Sequence, residues 1–394
     1  MDSTFLRACE AWADRFEVPA LQLALLDADG NVQDIALGCD PGDRFRIASI
    51  TKPVTASAAV QLLDLDAPTG VWPDDVRVRH LLSHTSGFDS ELADLARLGD
   101  GDDALGAAVA ELPGIRRLLD PGEVFSYANS GYWLAGWLTA QAAGTTYEEA
   151  VTEHVLQPAG LSSTDFGEPS LAGTGADAAR TSYPRARRPS GGLVSRAADV
   201  AAFGCWQLAN AWSAVLRQAR TALAGGEHYG FGFAGEHVGR TEVWGHAGSY
   251  GGFQSALLLV PERGAVFAGL TNSGRGKLAL REIEDLWLER VLCVRRALRP
   301  TLALEARDLD AFTGVYENSS STAAVEVGGS GLRVTFGGGE EPVEVTARPV
   351  GEAMFEIVGG DYDRDSFDFP RPGLARFGSV LVRRTWKSSE GEAS

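Results

Sequence analysis

The sequence predicts an α/β domain with a helical insertion, followed by a small antiparallel β-barrel. Three observations carry that prediction. Helix-like segments at both ends of residues 1–298 enclose strand-like runs, an alanine- and leucine-rich block at about 53–160 holds several helical stretches, and the composition changes after Arg299-Pro300 to short alternating runs. At ~100 to 200 residues per domain, 394 residues make two or three folding units. Such a chain buries most of its apolar surface without a metal or disulfide staple.

Taken in order, residues 3–16 place Phe5, Cys9, Trp12 and Phe16 at helical spacing. The period then changes: residues 21–37 read as a strand, an Asp29-Gly30 turn and a second strand. Turn clusters around Gly70, Pro73, Gly101 and Pro121-Gly122 interrupt the helical block. Strand patterning returns over 228–271, and residues 277–298 put Leu278, Ile283, Leu286, Leu288, Val291 and Leu292 on a helical repeat. Proline cannot extend that helix, so the expected units are 1–298, a barrel at 299–387 and a disordered tail at 388–394. Within the barrel the runs AAVEV, LRVTF, PVEVTA, MFEIV, SFDF and SVLVRR alternate as short strands do, with glycine turns at 328–331 and 337–339.

Charge narrows the function classes. With 35 basic and 53 acidic residues the net charge is -18, a field that repels phosphate backbones and anionic lipid headgroups. Neither nucleic acid nor membrane is an expected partner. Asp2, Arg7, Glu10, Asp14 and Arg15 break every apolar run near the start, so no signal peptide or transmembrane helix can be placed there, and a cytoplasmic protein is expected. Cys9, Cys39, Cys205 and Cys293 lack the spacing of a zinc site and read as free, mostly buried thiols. His80 and His84 lie four apart, but Leu81 stands where a zinc protease needs glutamate, so neither metal nor cofactor is expected.

Only Lys52, Lys277 and Lys387 are lysines, which makes each placement informative. Lys52 follows Ser49 by three residues, one helical turn, where a neutral amine can take a hydroxyl proton and leave a nucleophile. Ser49 also opens an apolar helix, whose free N–H groups and positive dipole end suit a developing oxyanion. From these residues alone Ser49 serves equally well as a helix cap, with Lys52 in solvent. Tyr127-Ala128-Asn129 supplies a possible proton relay and an amide, although a buried, satisfied tyrosine is the plainer reading. Trp244-Gly245-His246-Ala247-Gly248-Ser249 precedes a strand, and its small residues let backbone approach a ligand. Ala247-Gly248-Ser249-Tyr250-Gly251 imitates an α/β-hydrolase elbow, but none of the six histidines follows Ser249.

Together, Ser49-Ile50-Thr51-Lys52, Tyr127-Ala128-Asn129 and His246-Ala247-Gly248, in that order, resemble the serine β-lactamase and penicillin-binding-protein-like superfamily, nearest its class C, esterase and D-aminopeptidase branches. The flanking stretches 79–88, 121–136 and 191–204 share the likeness, and the region opening AFTGVYEN at 311 resembles the lipocalin-like domain of some members. The resemblance implies an antiparallel sheet flanked by helices, with a helical subdomain. It also implies Ser49 as acylated nucleophile, Lys52 as proton acceptor and Tyr127 as proton shuttle. Asn129, His246, Gly248 and Ser249 would bind substrate, with the N–H groups of Ser49 and Ser249 as oxyanion hole. His84 matches a structural stretch and is read as a packing or hydrogen-bonding residue.

The activity so implied is a serine hydrolase of esterase, amidase or D-peptidase type, acting on a small-molecule or peptide acyl substrate. Two alternatives stand beside it: a penicillin-binding-protein-type thioesterase or acyltransferase that releases or cyclises a peptidyl thioester or ester, and a non-catalytic binding protein on the same fold. His246 stands where β-lactamases usually carry lysine, which weakens the antibiotic-hydrolase reading. The barrel is expected to cover the pocket mouth. Oligomeric state is left open.

Overall fold

The computed structural model of the chain describes residues 3–27, 30–89, 92, 94–319, 321–337, 342–377 and 380–385. Ten short segments in the first 271 residues are extended. They are β1 (Leu21–Leu26), β2 (Val32–Leu37), β3 (Phe45–Arg46), β4 (Val194–Ser195), β5 (Thr221–Ala222), β6 (His228–Tyr229), β7 (Ala234–Val238), β8 (Thr241–Tyr250), β9 (Phe253–Val260) and β10 (Ala265–Thr271). Eight of them form one antiparallel sheet in the order β2-β1-β10-β9-β8-β7-β6-β5, while β3 pairs with β4 alone. The predicted hairpin of β1 and β2 is present, with Leu21 opposite Leu37; its Asp29 lies outside the described residues.

Both faces of the sheet are covered, which is why its central strand reads as an unbroken apolar run. Along β10 the side chains alternate between two cores: Val266 and Ala268 face one, Ala265 and Phe267 the other. The Ala265 face packs against the helices Ser3–Arg15 and Gly276–Leu292 through Phe5, Cys9, Ile283 and Trp287. The opposite face receives the helix Ala197–Ala209 and the helical block, which includes Thr51–Leu62 and Asn129–Ala143.

Two expectations are corrected here. The helix predicted to reach 298 stops at Leu292, because Cys293 turns into the left-handed region at φ 54 and Arg296 beyond it pairs with Glu236 at 2.6 Å. The thiols are free, but only Cys9 is buried and Cys293 is exposed. Among the described residues no helix is long and apolar enough to cross a membrane.

Residues 293–305 contain neither helix nor strand, and the expected boundary falls within them. Beyond lie β11 (Gly314–Glu317), β12 (Thr322–Gly328), β13 (Gly331–Gly337), β14 (Val343–Gly351), β15 (Met354–Ile357), β16 (Ser366–Asp368), β17 (Leu374–Phe377) and β18 (Val380–Thr385). Consecutive strands pair antiparallel, and β11 meets β18 to close a barrel. Its interior is aromatic, with Tyr316, Phe355, Phe367 and Phe369 packed together. The six runs picked out in the sequence fall on strands of this barrel, whereas β11 and β17 were not among them. In β17 the buried Arg376 interrupts the apolar pattern. The tail 388–394 and much of the turn at 337–339 lie outside the described residues.

Ion pairs dock the barrel on the helix Gly276–Leu292: Lys277 and Arg281 meet Asp365 at 2.5 and 2.8 Å, and Arg364 meets Asp285 at 2.9 Å. A small apolar contact, Leu374 against Leu118 and Leu119, supplements them.

Close packing of the helix Ala197–Ala209 on the sheet depends on Gly204, where an added Cβ would lie 2.6 Å from Val266 Cγ1 and 2.9 Å from Leu259 Cδ2. Gly204→Val is expected to cost about 2 kcal/mol through overpacking. A lowered thermal midpoint, followed by circular dichroism, checks this; an unchanged midpoint refutes it.

Candidate active site

The nucleophile segment is fixed from two sides before its helix begins. The β3–β4 pair ties Phe45-Arg46 to Val194-Ser195, and the Ile47 N–H donates to the Leu193 carbonyl at 3.1 Å. Ala48 then takes a left-handed conformation at φ 44, which costs a non-glycine residue about 1 kcal/mol and is held only by its surroundings. Ser49 follows, and Thr51–Leu62 continues as α-helix.

One turn later, Lys52 is fully buried, with Nζ 3.0 Å from Ser49 Oγ. The amine also donates to the Ser190 carbonyl at 2.7 Å. That carbonyl is itself located by side-chain bonds: Trp133 Nε1 donates to Ser190 Oγ at 3.0 Å, and Thr55 Oγ1 donates to the neighbouring Pro189 carbonyl at 2.7 Å. From the other side, the Tyr127 hydroxyl donates to Ser49 Oγ at 2.9 Å. One oxygen thus lies within hydrogen-bond reach of an amine and a phenol. Asn129, two residues on, opens the helix Asn129–Ala143 and is half-buried.

His84 grips the tyrosine segment at three points. Its carbonyl accepts the Ser126 N–H at 2.8 Å, its Nδ1 accepts the Ala128 N–H at 3.1 Å, and its ring stacks on Tyr127 with centroids 4.2 Å apart. Burial, followed by the charge of a protonated Lys52, holds the His84 imidazole well below its ordinary pKa, so it stays neutral and Nδ1 remains an acceptor.

Strand β8 forms the opposite wall, and its register explains why. Thr241 pairs with Val238 across a two-residue turn, so Thr241, Val243 and Gly245 direct their backbone groups to β7. The same alternation turns Ala247 and Ser249 the same way, but β7 starts at Ala234, opposite Gly245, and does not extend past them. Their N–H groups therefore lie on an open edge. Gly248 sits against the nucleophile: an added Cβ would collide with the Ile47 carbonyl oxygen and lie 3.0 Å from the Ser49 nitrogen. Ser255 Oγ donates to that same Ile47 carbonyl at 2.8 Å, so β9 helps seat the segment.

His246 has its Nδ1 2.6 Å from the Ala247 carbonyl and its Nε2 3.1 Å from the Tyr229 hydroxyl. A carbonyl only accepts, so Nδ1 carries the proton and Nε2 accepts from Tyr229. Burial first, then the charge of a protonated Lys52, lowers its pKa to about 3, against the smaller opposing effect of the Ala247 carbonyl. Across the neutral range this imidazole is uncharged.

The structure brings Ser49, Lys52, Tyr127, His246, Gly248 and Ser249 to one place, with Ser49, Tyr127, His246, Gly248 and Ser249 on the wall of a cleft of about 1520 Å³. Sequence reasoning missed Ser190 and Tyr229. Ser190 contributes a backbone carbonyl, for which no side-chain code exists, and Tyr229 is a lone aromatic with no motif around it. The barrel residues Phe367, Asp368 and Arg376 also line the cleft.

Residues 10–289 match the Beta-lactamase family. The chain belongs to that family. Its members are in general serine hydrolases. The chain is similar to penicillin-binding protein 4 of Amycolatopsis lactamdurans, 27% identical over 328 residues that cover 67% of this chain and 85% of the relative. Among solved structures it resembles SurE with D-Leu, at a TM-score of 0.74 and 23% identity, covering 97% of this chain and 99% of the other. The D-amino acid amidase of Ochrobactrum anthropi SV3 matches at a TM-score of 0.63 and 22% identity, covering 73% and 100%. At such identities the structural likenesses show the fold alone; that to SurE takes in the barrel as well as the family domain.

The depressed pKa of His246 has a consequence for stability against pH. Its folded pKa lies below the ordinary value of ~6.5, so stability associated with it is intact above that value and lost as pH falls toward about 3. Histidine NMR, with the signal assigned through His246→Gln, is expected to show no titration of His246 above pH ~5. A midpoint near ~6.5 would refute the neutral assignment.

Proposed function

We propose that the protein is a serine hydrolase that forms an acyl-enzyme at Ser49 on uncharged ester or amide donors, including D-configured amino-acid derivatives. The observation that carries this reading is Ser49 Oγ standing 3.0 Å from Lys52 Nζ and 2.9 Å from the Tyr127 hydroxyl on an accessible cleft wall. In acylation the Ser49 proton passes to the neutral Lys52 amine as Oγ adds to the substrate carbonyl. The N–H groups of Ser49 and Ser249 receive the oxyanion, and the tetrahedral adduct collapses as the leaving group takes a proton through Tyr127. Water, deprotonated along the same path, adds to the ester and returns the proton to Ser49. Asn129, at the start of its helix, is assigned to substrate binding beside Lys52.

Charge at the His246 wall supports this choice of substrate class. Neutral His246 offers no fixed positive charge to a carboxylate, so an uncharged ester or amide suits this wall better than an anionic β-lactam. A D-configured acyl group is supported by the likeness to a structure holding D-Leu and to a D-amino acid amidase. The volume of the cleft favours a second reading. At about 1520 Å³ it exceeds the ~300 to 1,000 Å³ of small-molecule pockets, which leaves room for an amine or alcohol acceptor in place of water. That reaction is acyl transfer or cyclisation of a peptidyl thioester or ester.

Ser49→Ala is expected to abolish the mass adduct formed with a fluorophosphonate and to lower kcat/KM by at least ~10³-fold. Tyr127→Phe should lower it ~10²- to 10³-fold. A panel of p-nitrophenyl esters, D- and L-amino amides and a cephalosporin, run with and without an added amine, measures substrate class and product partition together. An unlabelled wild type overturns the catalytic reading in favour of a binding protein, and exclusive hydrolysis overturns the transfer reading.

A further inference from the structure

We infer that the barrel is part of the catalytic apparatus, holding Tyr127 in place through Arg376 and Phe125, in addition to walling the cleft. The inference rests on the role proposed above for Tyr127. The path is short and continuous. Arg376 of β17 is buried and makes two parallel bonds to Asp368 of β16, at 2.8 and 2.7 Å, which lock its guanidinium plane. That guanidinium lies 5.9 Å from the Phe125 ring centroid, within reach of a cation–π attraction. Phe125 is itself buried, packed edge-on to His84 at 5.5 Å and against Tyr229 at 5.2 Å. Tyr127 follows two residues later.

Two neighbouring contacts clamp the same segment to the barrel. Leu374, two residues before Arg376, packs on Leu118 and Leu119 with Val124 beside them, and Arg371 pairs with Glu123. On its inner side the segment is held by His84 and by the Gly122 N–H donating to the Thr85 carbonyl at 2.7 Å. Residues 118–128 therefore have one wall in the family domain and the other in the barrel. With the outer wall gone, the segment that holds the phenol 2.9 Å from Ser49 Oγ keeps its inner contacts and loses those on its other side. Arg376 is thus a positioning residue, acting through Phe125; it is not offered as touching the reacting atoms.

The test replaces the buried pair with apolar residues, Asp368→Leu with Arg376→Met, so that neither charge is left unpaired. A second variant, Phe125→Leu, removes the ring and keeps the site apolar. Three readouts are taken on each full-length chain: the rate of Ser49 labelling by a fluorophosphonate, kcat and KM for p-nitrophenyl acetate, and hydrogen–deuterium exchange over residues 118–128. Positioning predicts a roughly tenfold fall in labelling rate and in kcat for this smallest ester, KM within about twofold, and faster exchange in the segment. A barrel that only covers the cleft predicts wild-type labelling, kcat and exchange, with changes confined to bulky substrates; that result overturns the proposal. Exchange reports on the segment even without turnover. An unlabelled wild type whose variants exchange faster therefore sinks the proposed function and leaves the clamp standing, whereas labelled wild type with unchanged variants sinks the clamp alone.

Discussion

A buried amine sets the terms for the site. Lys52 has no exposed surface, and bringing an ammonium out of water is costly unless its donors are met. The fold meets them with groups held in place from several elements: a hydroxyl from the turn that leads into its helix, a carbonyl from 188–191, and the faces of Tyr127 and Tyr132 at 4.7 and 5.6 Å. These demands explain why Thr51–Leu62 is buried over nearly all its length and has no polar face. They also explain why the residues that orient the Ser190 carbonyl, Trp133 and Thr55, bond through side chains in the core. A carbonyl and two aromatic faces favour the charged amine, while burial favours the neutral one.

The hydroxyl beside that amine is held between two units. From the helical block come Lys52, Tyr127 and the His84 grip; from the sheet come the open edge of β8 and the Ser255 bond to Ile47. Their junction is tight enough to demand glycine at 248 and a left-handed alanine at 48. Strain at the residue before a nucleophile makes sense only where both sides are rigid. Here one side is an eight-stranded sheet with a core on each face, and the other is a helix packed around most of its circumference.

Much of this was legible in the sequence, and the exceptions share a cause. Ser49 and Lys52 stood out because lysine is so scarce in the chain, and the strands at 228–271 because apolar runs between glycines leave few other options. Tyr127 gained weight only from its order among the other motifs. What stayed hidden is carried by backbone or by context. The Ser190 carbonyl has no signature, and the three-point hold of His84 depends on a left-handed backbone at φ 54 that the stretch 83–87 does not announce. By sequence His246 is a histidine like any other, with an ordinary pKa of ~6.5. Its environment moves it to about 3, because burial is a property of neighbours and not of the residue. The end of the helix at Leu292 was misplaced for a related reason: Arg296 pairs with Glu236 of β7, off the helix, as well as with Asp285 on it.

Strand β17 makes the same point and leads furthest. Alternation puts Ala375 and Phe377 inside the barrel and Leu374 and Arg376 on its outer face, so a four-residue strand with a charge in it escaped notice. A buried Arg–Asp pair adds little to stability compared with two well-packed apolar residues, so the contribution of Arg376 is better sought in what it orients. The barrel meets the rest of the chain chiefly through ion pairs around Asp365 and Arg364, with one small apolar cluster at Leu374. Polar interfaces of this kind leave relative motion as the default. Against that background the contacts near Phe125 stand out: a buried guanidinium on its ring and the apolar Leu374 cluster both bear on the segment that leads to the phenol. They bear on a segment where a shift of an ångström would part the tyrosine hydroxyl from Ser49 Oγ, 2.9 Å away.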